Sequence, residues 1–537
     1  MNRASGLLSL AEKSLFYVLL LLLPLLLANA DPVRSQEKDN EIAFEIKAFD
    51  LSGNTTISSD ELQQVVHKFV GKDKSAADVE KARKTIEDFY HKAGYPTALV
   101  NIPEQTVEDG IVRLEVIESK IRRVRITGNR YFTMEKIYNA LPTLREGEIL
   151  YVPNVQKELA DLNRNPDLKV APVLMPGKEL GTIDVELKVK DKLPLHGSLE
   201  LNNRNTHTTT PLRLNGVLHY DNLWQKDHSI SFQFQTSPED TDEVKLITGS
   251  YVWPSIFNRD NMSVLYGVVS DSDTAFGSDF TVIGKGYIVG YREIMPLPHV
   301  GDYAHNLSLG IDYKDFEESQ RYAGEEEQVP VTYLPLSLSY SASLRGLSGV
   351  TRFNIGLDLS LRGVVTDETE FDFKRYNARG NYIIVGAGIE REQNIPWGMS
   401  LLAKLNGQLA DQPLIPNEQF TVGGMTSVHG YKESEASGDN GLLGNLIVTS
   451  PNMAKWFGAG DRLSINLKAF YDAAYLTRID PLPGEDRETT LQGTGAGIQL
   501  LWNNRFEAVF EWGVALEPTA DTERGDSVCY FITKLQF

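Results

Sequence analysis

The sequence predicts a two-part protein: an α+β region that occurs twice over residues 42–190, then a transmembrane antiparallel β-barrel of about 16 strands over residues 194–537. The first observation is a mixed order of short strands and amphipathic helices, present once and then repeated. The second is a long series of segments in which apolar and polar residues alternate. The third is a last alternating segment that ends on an aromatic residue, Phe537. A soluble part in front of a barrel predicts an outer-membrane protein.

Residues 1–30 are predicted to be a secretory signal peptide. Positive residues precede an apolar run over residues 15–27, and residues 28–30 (Ala-Asn-Ala) form an A-x-A cleavage site. The apolar run is shorter than the roughly 20 residues that a transmembrane helix needs. Residues 31–41 form a short polar segment, which is unlike an amphipathic helix, so we predict no N-terminal plug.

The overall composition excludes several classes of protein. The formal net charge of -20 argues against a general nucleic-acid binder, which would carry a basic patch. The single cysteine, Cys529, cannot form an intrachain disulfide. The glycine-rich stretch 493–497 has no P-loop lysine after it, and small residues in barrel strands explain it better. We therefore predict no enzyme activity, no cofactor and no metal.

The first α+β unit is expected over residues 42–118. An alternating strand ends at Gly53-Asn54, and Ser58 and Glu61 then have the spacing of a capping box before an apolar helical face. A second helix is predicted from Ala77 to Ala93, and two short strands follow. This order of strand, two helices and two strands predicts a small α+β domain.

Residues 119–190 are expected to form a second unit of the same kind. Its first strand also ends at a Gly-Asn pair, Gly128-Asn129, and two helices and two strands follow. Two such units before a barrel resemble the POTRA modules of outer-membrane transporters; the alternative is a generic α/β sandwich domain. In a POTRA module, an open sheet edge can pair with an extended client polypeptide.

The barrel is predicted from strict alternation with a period of two. Residues 212–219, 352–362 and 463–469 each place apolar side chains on one face and polar or charged ones on the other. Charges at alternate positions inside long strands indicate a wet lumen on one side and lipid on the other. About sixteen segments have the 9–11 residues that a tilted spanning strand needs. The alternative is a pair of soluble β-sandwich domains.

The last strand places Phe531, Leu535 and Phe537 on one face. A terminal phenylalanine on an alternating strand resembles the signal that the barrel-insertion machinery reads. This resemblance makes that machinery an expected partner during biogenesis, and outer-membrane lipid an expected contact afterwards.

Two motifs narrow the function. Residues 420–431 read FTVGGMTSVHGY, and residues 470–474 read FYDAA in a predicted strand. The pair resembles the two signatures of the two-partner secretion transporters, the TpsB family of haemolysin and adhesin exporters. The positions that match the loop signature are Gly423, Gly424, Val428, His429, Gly430 and Tyr431, and those that match the strand signature are Phe470 and Asp472.

The resemblance implies a loop, around residues 412–438, that folds back into the barrel and pairs with the inner wall. Asp472 shares its parity with Ser464, Asn466 and Lys468, so it should face the lumen. The family has Arg where this chain has His429, and an imidazole offers a weaker, pH-sensitive bond instead of a bidentate one. Ala474 replaces the family's Gly, which is a mild change.

The resemblance implies an outer-membrane translocator with its POTRA units in the periplasm. It would recognise a large unfolded exoprotein through the POTRA edges, export it through the barrel pore, and use folding outside to give direction. The alternative is a factor that inserts other barrels, although such factors usually carry three or more POTRA units. A passive diffusion porin is disfavoured by the POTRA pair. The identity and fate of the client, the gating mechanism and the oligomeric state are left open by the sequence.

Overall fold

The computed structural model describes residues 43–537, except 108, 259, 273, 277–280, 284, 323–324, 362, 364–366 and 461. The predicted signal peptide and the polar segment 31–41 lie outside the described residues. The chain divides into two compact units. One contains the described residues up to Asn129 together with Ile137–Lys190, and the other contains Arg130–Lys136 and Asp191–Phe537.

Two of the three small sheets described in the first unit have three strands each and share one topology. Its helices and strands are β1 (Phe44–Ile46), β2 (Ala48–Ser52), α1 (Ser59–Val66), β3 (Gly71–Lys74), α2 (Ala76–Lys92), β4 (Leu99–Asn101), β5 (Ile111–Ile117), β6 (Lys120–Thr127), α3 (Met134–Asn139), α4 (Val152–Leu162), β7 (Leu168–Pro176) and β8 (Thr182–Asp191). The sheets have the orders β2-β5-β4 and β6-β8-β7, and the first strand runs parallel to the third in each. The same strand order therefore occurs twice in this unit.

The repeated Gly-Asn turn has the same physical reason in both sheets. Gly53 and Gly128 have φ angles of 79° and 86°, which side-chain-bearing residues rarely adopt. A Cβ on Gly53 would lie 2.2 Å from the Val116 carbonyl oxygen, and one on Gly128 would lie 2.4 Å from that of Val189. Both turns thus pass directly against the central strand of their own sheet.

The second unit is a closed antiparallel barrel. Its strands are β9 (Leu195–Asn202), β10 (Arg213–Leu223), β11 (His228–Thr236), β12 (Lys245–Pro254), β13 (Met262–Asp271), β16 (Lys285–Pro296), β17 (Tyr303–Tyr322), β18 (Glu325–Tyr333), β19 (Pro335–Gly346), β20 (Gly349–Ser360), β21 (Ile383–Ile395), β22 (Met399–Ala410), β25 (Asn440–Thr449), β26 (Leu463–Thr477), β27 (Glu488–Trp502), β28 (Phe506–Ala515) and β29 (Ser527–Gln536). Neighbours in sequence pair in order, and β29 pairs with β9 to close the ring. The predicted fold class is confirmed.

The strand number is sixteen because β18 and β19 form one strand. Only Leu334 separates them, and they pair with successive halves of β17.

Two further hairpins lie in connections between barrel strands: β14 (Thr274–Phe276) with β15 (Thr281–Ile283), and β23 (Phe420–Val422) with β24 (Ala436–Gly438). None of the described helices is long and apolar enough to cross a membrane.

Alternation sorts the barrel side chains as the sequence predicts. In β26, Leu467, Tyr471 and Tyr475 are exposed on the outer face, whereas Asp472 is completely buried on the inner face. Outward apolar side chains on neighbouring strands build a surface suited to lipid.

Two groups of buried apolar residues lie against the inner wall. One surrounds a short helix, α5 (Glu368–Lys374), in the connection between β20 and β21, and contains Leu246, Val268, Phe316, Val331, Tyr333, Phe371, Ala378, Tyr382, Ile384, Leu414 and Ile415. The other contains Val422, Val428, Tyr431, Leu443, Ala474, Leu476, Leu491 and Ala515. Both groups include residues of the connection between β22 and β25, here called the long loop (residues 411–439).

Candidate functional site

The long loop narrows to a hairpin and a tight tip. β23 pairs with β24, and between them Gly423 and Gly424 have φ angles of 114° and 99°. A Cβ on Gly424 would lie 2.4 Å from the Glu433 carboxyl carbon. Both the backbone conformation and the close approach therefore require glycine here. The Gly423 amide donates to the Ser427 hydroxyl at 2.8 Å, which closes the turn before Val428.

The tip residue His429 lies against Asp472 of β26. Its Nδ1 is 2.6 Å from Asp472 Oδ2, and its backbone N–H donates to the same oxygen at 3.2 Å. The other oxygen, Oδ1, accepts from the Asn445 side chain at 2.7 Å. His429 is 3% exposed and Asp472 is not exposed at all, so this carboxylate is bound on both oxygens in a buried position.

A second carboxylate contacts the other side of the imidazole. Nε2 of His429 is 3.1 Å from Glu511 Oε2, and Glu511 Oε1 is 3.2 Å from the Lys468 amine. Burial acts to lower the pKa of His429, but its hydrogen bonds to Asp472 and Glu511 outweigh burial and leave that pKa raised. With His429 protonated, two carboxylates face two cations, and the buried charges balance.

The wall of the barrel is shaped to receive the tip. The His429 ring stacks on Phe470 at a centroid distance of 3.7 Å. A Cβ on Gly493 would lie 1.8 Å from the His429 carbonyl oxygen, and one on Gly513 would lie 2.6 Å from the Gly430 amide. Glycines on β27 and β28 thus let the tip backbone approach the wall directly.

The residues that flank His429 are bound as well. Gly430 N–H donates to the Tyr530 hydroxyl at 2.9 Å, and that hydroxyl donates to the Tyr431 carbonyl oxygen at 2.5 Å. The Tyr431 hydroxyl lies 2.7 Å from the carbonyl oxygen of Glu517. Val428 and Tyr431 are fully buried. All six predicted tip positions, together with Phe470 and Asp472, therefore belong to one packed assembly.

The tip also contacts the connection that follows β9. Arg204 donates to both carboxylate oxygens of Glu433, at 2.8 and 3.3 Å, and the Glu433 amide donates to the Asn205 carbonyl oxygen. Glu435 accepts from Thr519 and Thr522 and lies 2.7 Å from His207 Nε2. Side chains of the long loop thus contact the connections that lie next to both strands that close the barrel.

The closing line itself, β9 with β29, is short. Its pairing runs from Asn202–Ile532 to Ser198–Gln536, and backbone bonds between Gly197 and Phe537 extend it. Beyond Asn202, the Asn203 side chain donates to the Cys529 carbonyl oxygen at 2.7 Å. Hydrogen bonds near both ends of β9 therefore supplement this ladder.

The three predicted insertion-signal residues share the outward parity of β29. Leu535 and Phe537 are exposed, and Phe531 is half-buried opposite Phe510. The Phe537 ring covers Gly197, where a Cβ would lie 2.4 Å from it.

The base of the long loop is anchored by Asp439, which is fully buried. It accepts from the Leu414 and Ile479 amides at 2.9 and 2.7 Å, and from Arg375 at 3.2 Å. Arg375 follows α5 directly, so three connections between strands meet at this carboxylate.

Sequence reasoning missed several of these partners. The alternation marked Lys468 as inward-facing, but nothing in the sequence marked Lys468 or Glu511 as neighbours of His429, which is 82 residues from Glu511. Asn445, Tyr530, Glu433 and Arg204 gave no local signal. Glycines 493 and 495 were expected to be small residues of a barrel strand; the structure adds that Gly493 clears the tip and Gly495 clears Phe470.

One group of side chains in the described part of the chain has the spacing of a metal site. His196, His219 and Asp221 place their ligand atoms within 4.8 Å of one another. They lie on β9 and β10, apart from the tip.

Comparison with known proteins places this architecture among transporters. Residues 181–499 match the family model for haemolysin secretion/activation protein ShlB/FhaC/HecB, and residues 44–119 match the ShlB-type POTRA domain. The heme/hemopexin transporter protein HuxB of Haemophilus influenzae is 20% identical over 421 residues, which are 77% of this chain and 73% of HuxB. The outer membrane transporter CdiB of Dickeya dadantii is 22% identical over 440 residues, 76% of this chain and 73% of CdiB.

Solved structures share the fold. CdiB from Escherichia coli has a TM-score of 0.61 at 18% identity and covers 95% of this chain and 93% of its own. BamA from Haemophilus ducreyi lacking POTRA domains 1-3 has a TM-score of 0.56 at 15% identity, over 92% of this chain and 100% of its own.

Proposed function

The chain belongs to the haemolysin secretion/activation protein family (ShlB/FhaC/HecB), the outer-membrane exoprotein translocators of two-partner secretion, and from this premise we propose how it handles its client. The barrel lies in the outer membrane, and the POTRA part lies in the periplasm. The named relatives are a heme/hemopexin transporter and outer membrane transporters called CdiB. The client of this chain is a large exoprotein that arrives unfolded and carries a secretion domain at its N-terminus.

The client first pairs with a POTRA sheet edge. In the second small sheet, β7 pairs with β8 on one side, and no strand in the described part of the chain pairs with its other side. Leu174 and Met175, near the end of β7, are 42% and 40% exposed. An extended client strand would gain main-chain hydrogen bonds along this edge and apolar contacts at its end.

This step has a direct test. Replacing Leu174 and Met175 by Glu should reduce client export, because charged side chains would take the place of the apolar contacts offered to the client strand at the end of β7. Leu180→Glu is the matched control, since Leu180 is 82% exposed but follows β7. Equal effects of the two changes, or retained export after removal of residues 31–190, would rule out recognition by this edge.

The long loop then shapes the pore. The observation that carries this role is the burial of His429 between Asp472 and Glu511, because a loop that only covered the lumen would need no paired charges on the wall. The docked tip holds the strands β26, β27 and β28 in position relative to the closing line. The client then has a passage that is bounded by a rigid wall. Folding outside the cell supplies the direction of export.

The function as a whole is tested by deleting the gene in its native host and analysing culture supernatant and outer membrane by mass spectrometry. One large exported protein should disappear from the supernatant, while other barrels stay at their normal levels and the plasmid-borne gene restores export. A joint fall of many outer-membrane barrels would instead assign the chain to barrel assembly.

A further inference from the structure

The lumen contains a second cluster of titratable side chains, on the first two strands of the barrel. His196 of β9 and His219 of β10 are direct cross-strand partners, and their rings are 5.0 Å apart. Asp221 lies two residues beyond His219, so it projects from the same face of β10. These residues have the opposite parity to Leu199 and Leu218, which are exposed on the outer face. The cluster therefore faces the lumen.

From these three residues, the geometry points to a binding site for a transition-metal dication of the zinc type, held by His196, His219 and Asp221. Their ligand atoms lie within 4.8 Å of one another, so small rotamer adjustments bring all three to one ion. Two imidazole nitrogens and one carboxylate oxygen suit Zn²⁺, whereas Mg²⁺ and Ca²⁺ prefer oxygen ligands alone.

The carboxylate is already oriented for this task. The Ser229 hydroxyl donates to Asp221 Oδ1 at 2.5 Å, which leaves Oδ2 to face His219 Nε2 at 3.3 Å. The Asp221 amide donates to the Pro194 carbonyl oxygen at 2.8 Å and ties the end of β10 to the chain just before β9. Outer hydrogen bonds of this kind fix ligand orientation in metal sites.

The site is also accessible. The side chains of His219 and Asp221 are 40% and 28% exposed, so an ion can reach them from the water-filled lumen and keep a water as its fourth ligand. A bound ion would clamp the beginning of β9 to β10. This matters because β9 is the strand on which barrel closure depends.

The test is zinc binding by the full-length protein in detergent, purified without a histidine tag and freed of metal by a chelator. Titration with Zn²⁺ against a chelating dye should show one ion per chain. His196→Ala, His219→Ala and Asp221→Asn should each weaken binding at least tenfold, and Ca²⁺ or Mg²⁺ in excess should not displace the ion. His67→Ala, on the exposed surface of the first unit, is the matched control and should bind as wild type does.

A second measurement separates the site from general histidine binding. Zn²⁺ should raise the thermal unfolding midpoint of the wild-type barrel, because ligands that bind only the folded state stabilise it, and should not raise that of the His196→Ala, His219→Ala double variant. Absence of stoichiometric Zn²⁺ in the wild type would overturn the proposal. So would equal Zn²⁺ affinity in the double variant, with barrel folding checked by heat-modifiable migration.

Discussion

The long loop contacts two regions of the barrel whose strands pair over very different lengths. The wall behind His429 is built from β26 and β27, which are fifteen residues each and pair from Leu463–Trp502 to Thr477–Glu488. The closing line is built on β9, which has eight residues and pairs with β29 only from Asn202 to Ser198. The same loop binds the first region through Asp472 and bridges to the second through Glu433.

Because one loop binds both regions, docking of the tip and closure of the barrel are coupled. On the wall side, β26 and β27 pair along their whole length, so we expect this ladder to persist when the tip leaves. On the closing side, Arg204 follows β9 and Tyr530 lies on β29, and both bind the tip. Loss of the tip therefore removes support from both strands of the shortest ladder in the described barrel. Five predictions test this coupling, in order of decreasing expected effect.

Asp472→Ala should have the largest effect. It leaves the His429 ring, the His429 amide and the Asn445 side chain without their buried acceptor. Breaking one partner of a buried charged pair costs about 3–5 kcal/mol, so the tip should undock and client export should fall at least tenfold. Client in the culture supernatant, relative to cell-associated client, measures this. Glu392→Ala, at a half-exposed carboxylate, is the control; an equal loss there would contradict the special role of Asp472.

Gly493→Ala should undock the tip without altering any charge. The added methyl would lie 1.8 Å from the His429 carbonyl oxygen, so the tip backbone must move away. Gly386→Ala is the matched control, because a Cβ there meets nothing within 4 Å. Protease sensitivity of the long loop should rise in the first variant only. Equal protection in both would show that the tip tolerates displacement.

Arg204→Ala should weaken the closing side while the wall side stays bound. It leaves Glu433, which is 3% exposed, without its bidentate partner. A cost of about 1–3 kcal/mol is expected for one unsatisfied buried group. Arg352→Ala removes a lumen pair whose arginine is half exposed, and such pairs contribute about 0–1 kcal/mol. The thermal unfolding midpoints of the two variants are compared. Equal midpoints would show that Glu433 does not stabilise the closing line.

His429→Ala should be milder than Asp472→Ala. It removes one ring and its two bonds, but Asp472 keeps the Asn445 side chain and the backbone amide at position 429, and Glu511 keeps Lys468. Export should fall by a few fold. An equally severe loss of export in both variants would show that docking requires both partners of the His429–Asp472 hydrogen bond.

The same residue predicts a pH dependence of known sign. The raised pKa of His429 means that its charged contribution to docking is complete below the ordinary value of 6.5 and is lost as the pH rises through the raised value. Protease sensitivity of the loop should therefore increase with pH in the wild type. His429→Arg should abolish this dependence, since a guanidinium stays charged throughout. A pH-independent wild type would contradict the prediction.

Much of this architecture follows from alternation that is local in sequence. The period of two predicted sixteen strands and the inward position of Asp472, since each depends only on neighbours along one strand. The pairing of Glu511 with His429 depends instead on where a loop folds across three strands, which no local pattern encodes. Arg204 lies in a polar connection like any other. The helix α5 is short and was not predicted, because its apolar residues are buried by distant strands and not by a neighbouring turn.

Cys529 lies on β29, at the level where Asn203 reaches across the closing line to its carbonyl oxygen. It is the only cysteine in the sequence, and it is exposed. Thiol-reactive fluorophores or spin labels will therefore attach at one place in the native protein, without removal of other thiols. Attached there, a label gives a direct readout of whether the first and last strands separate while a client is in transit.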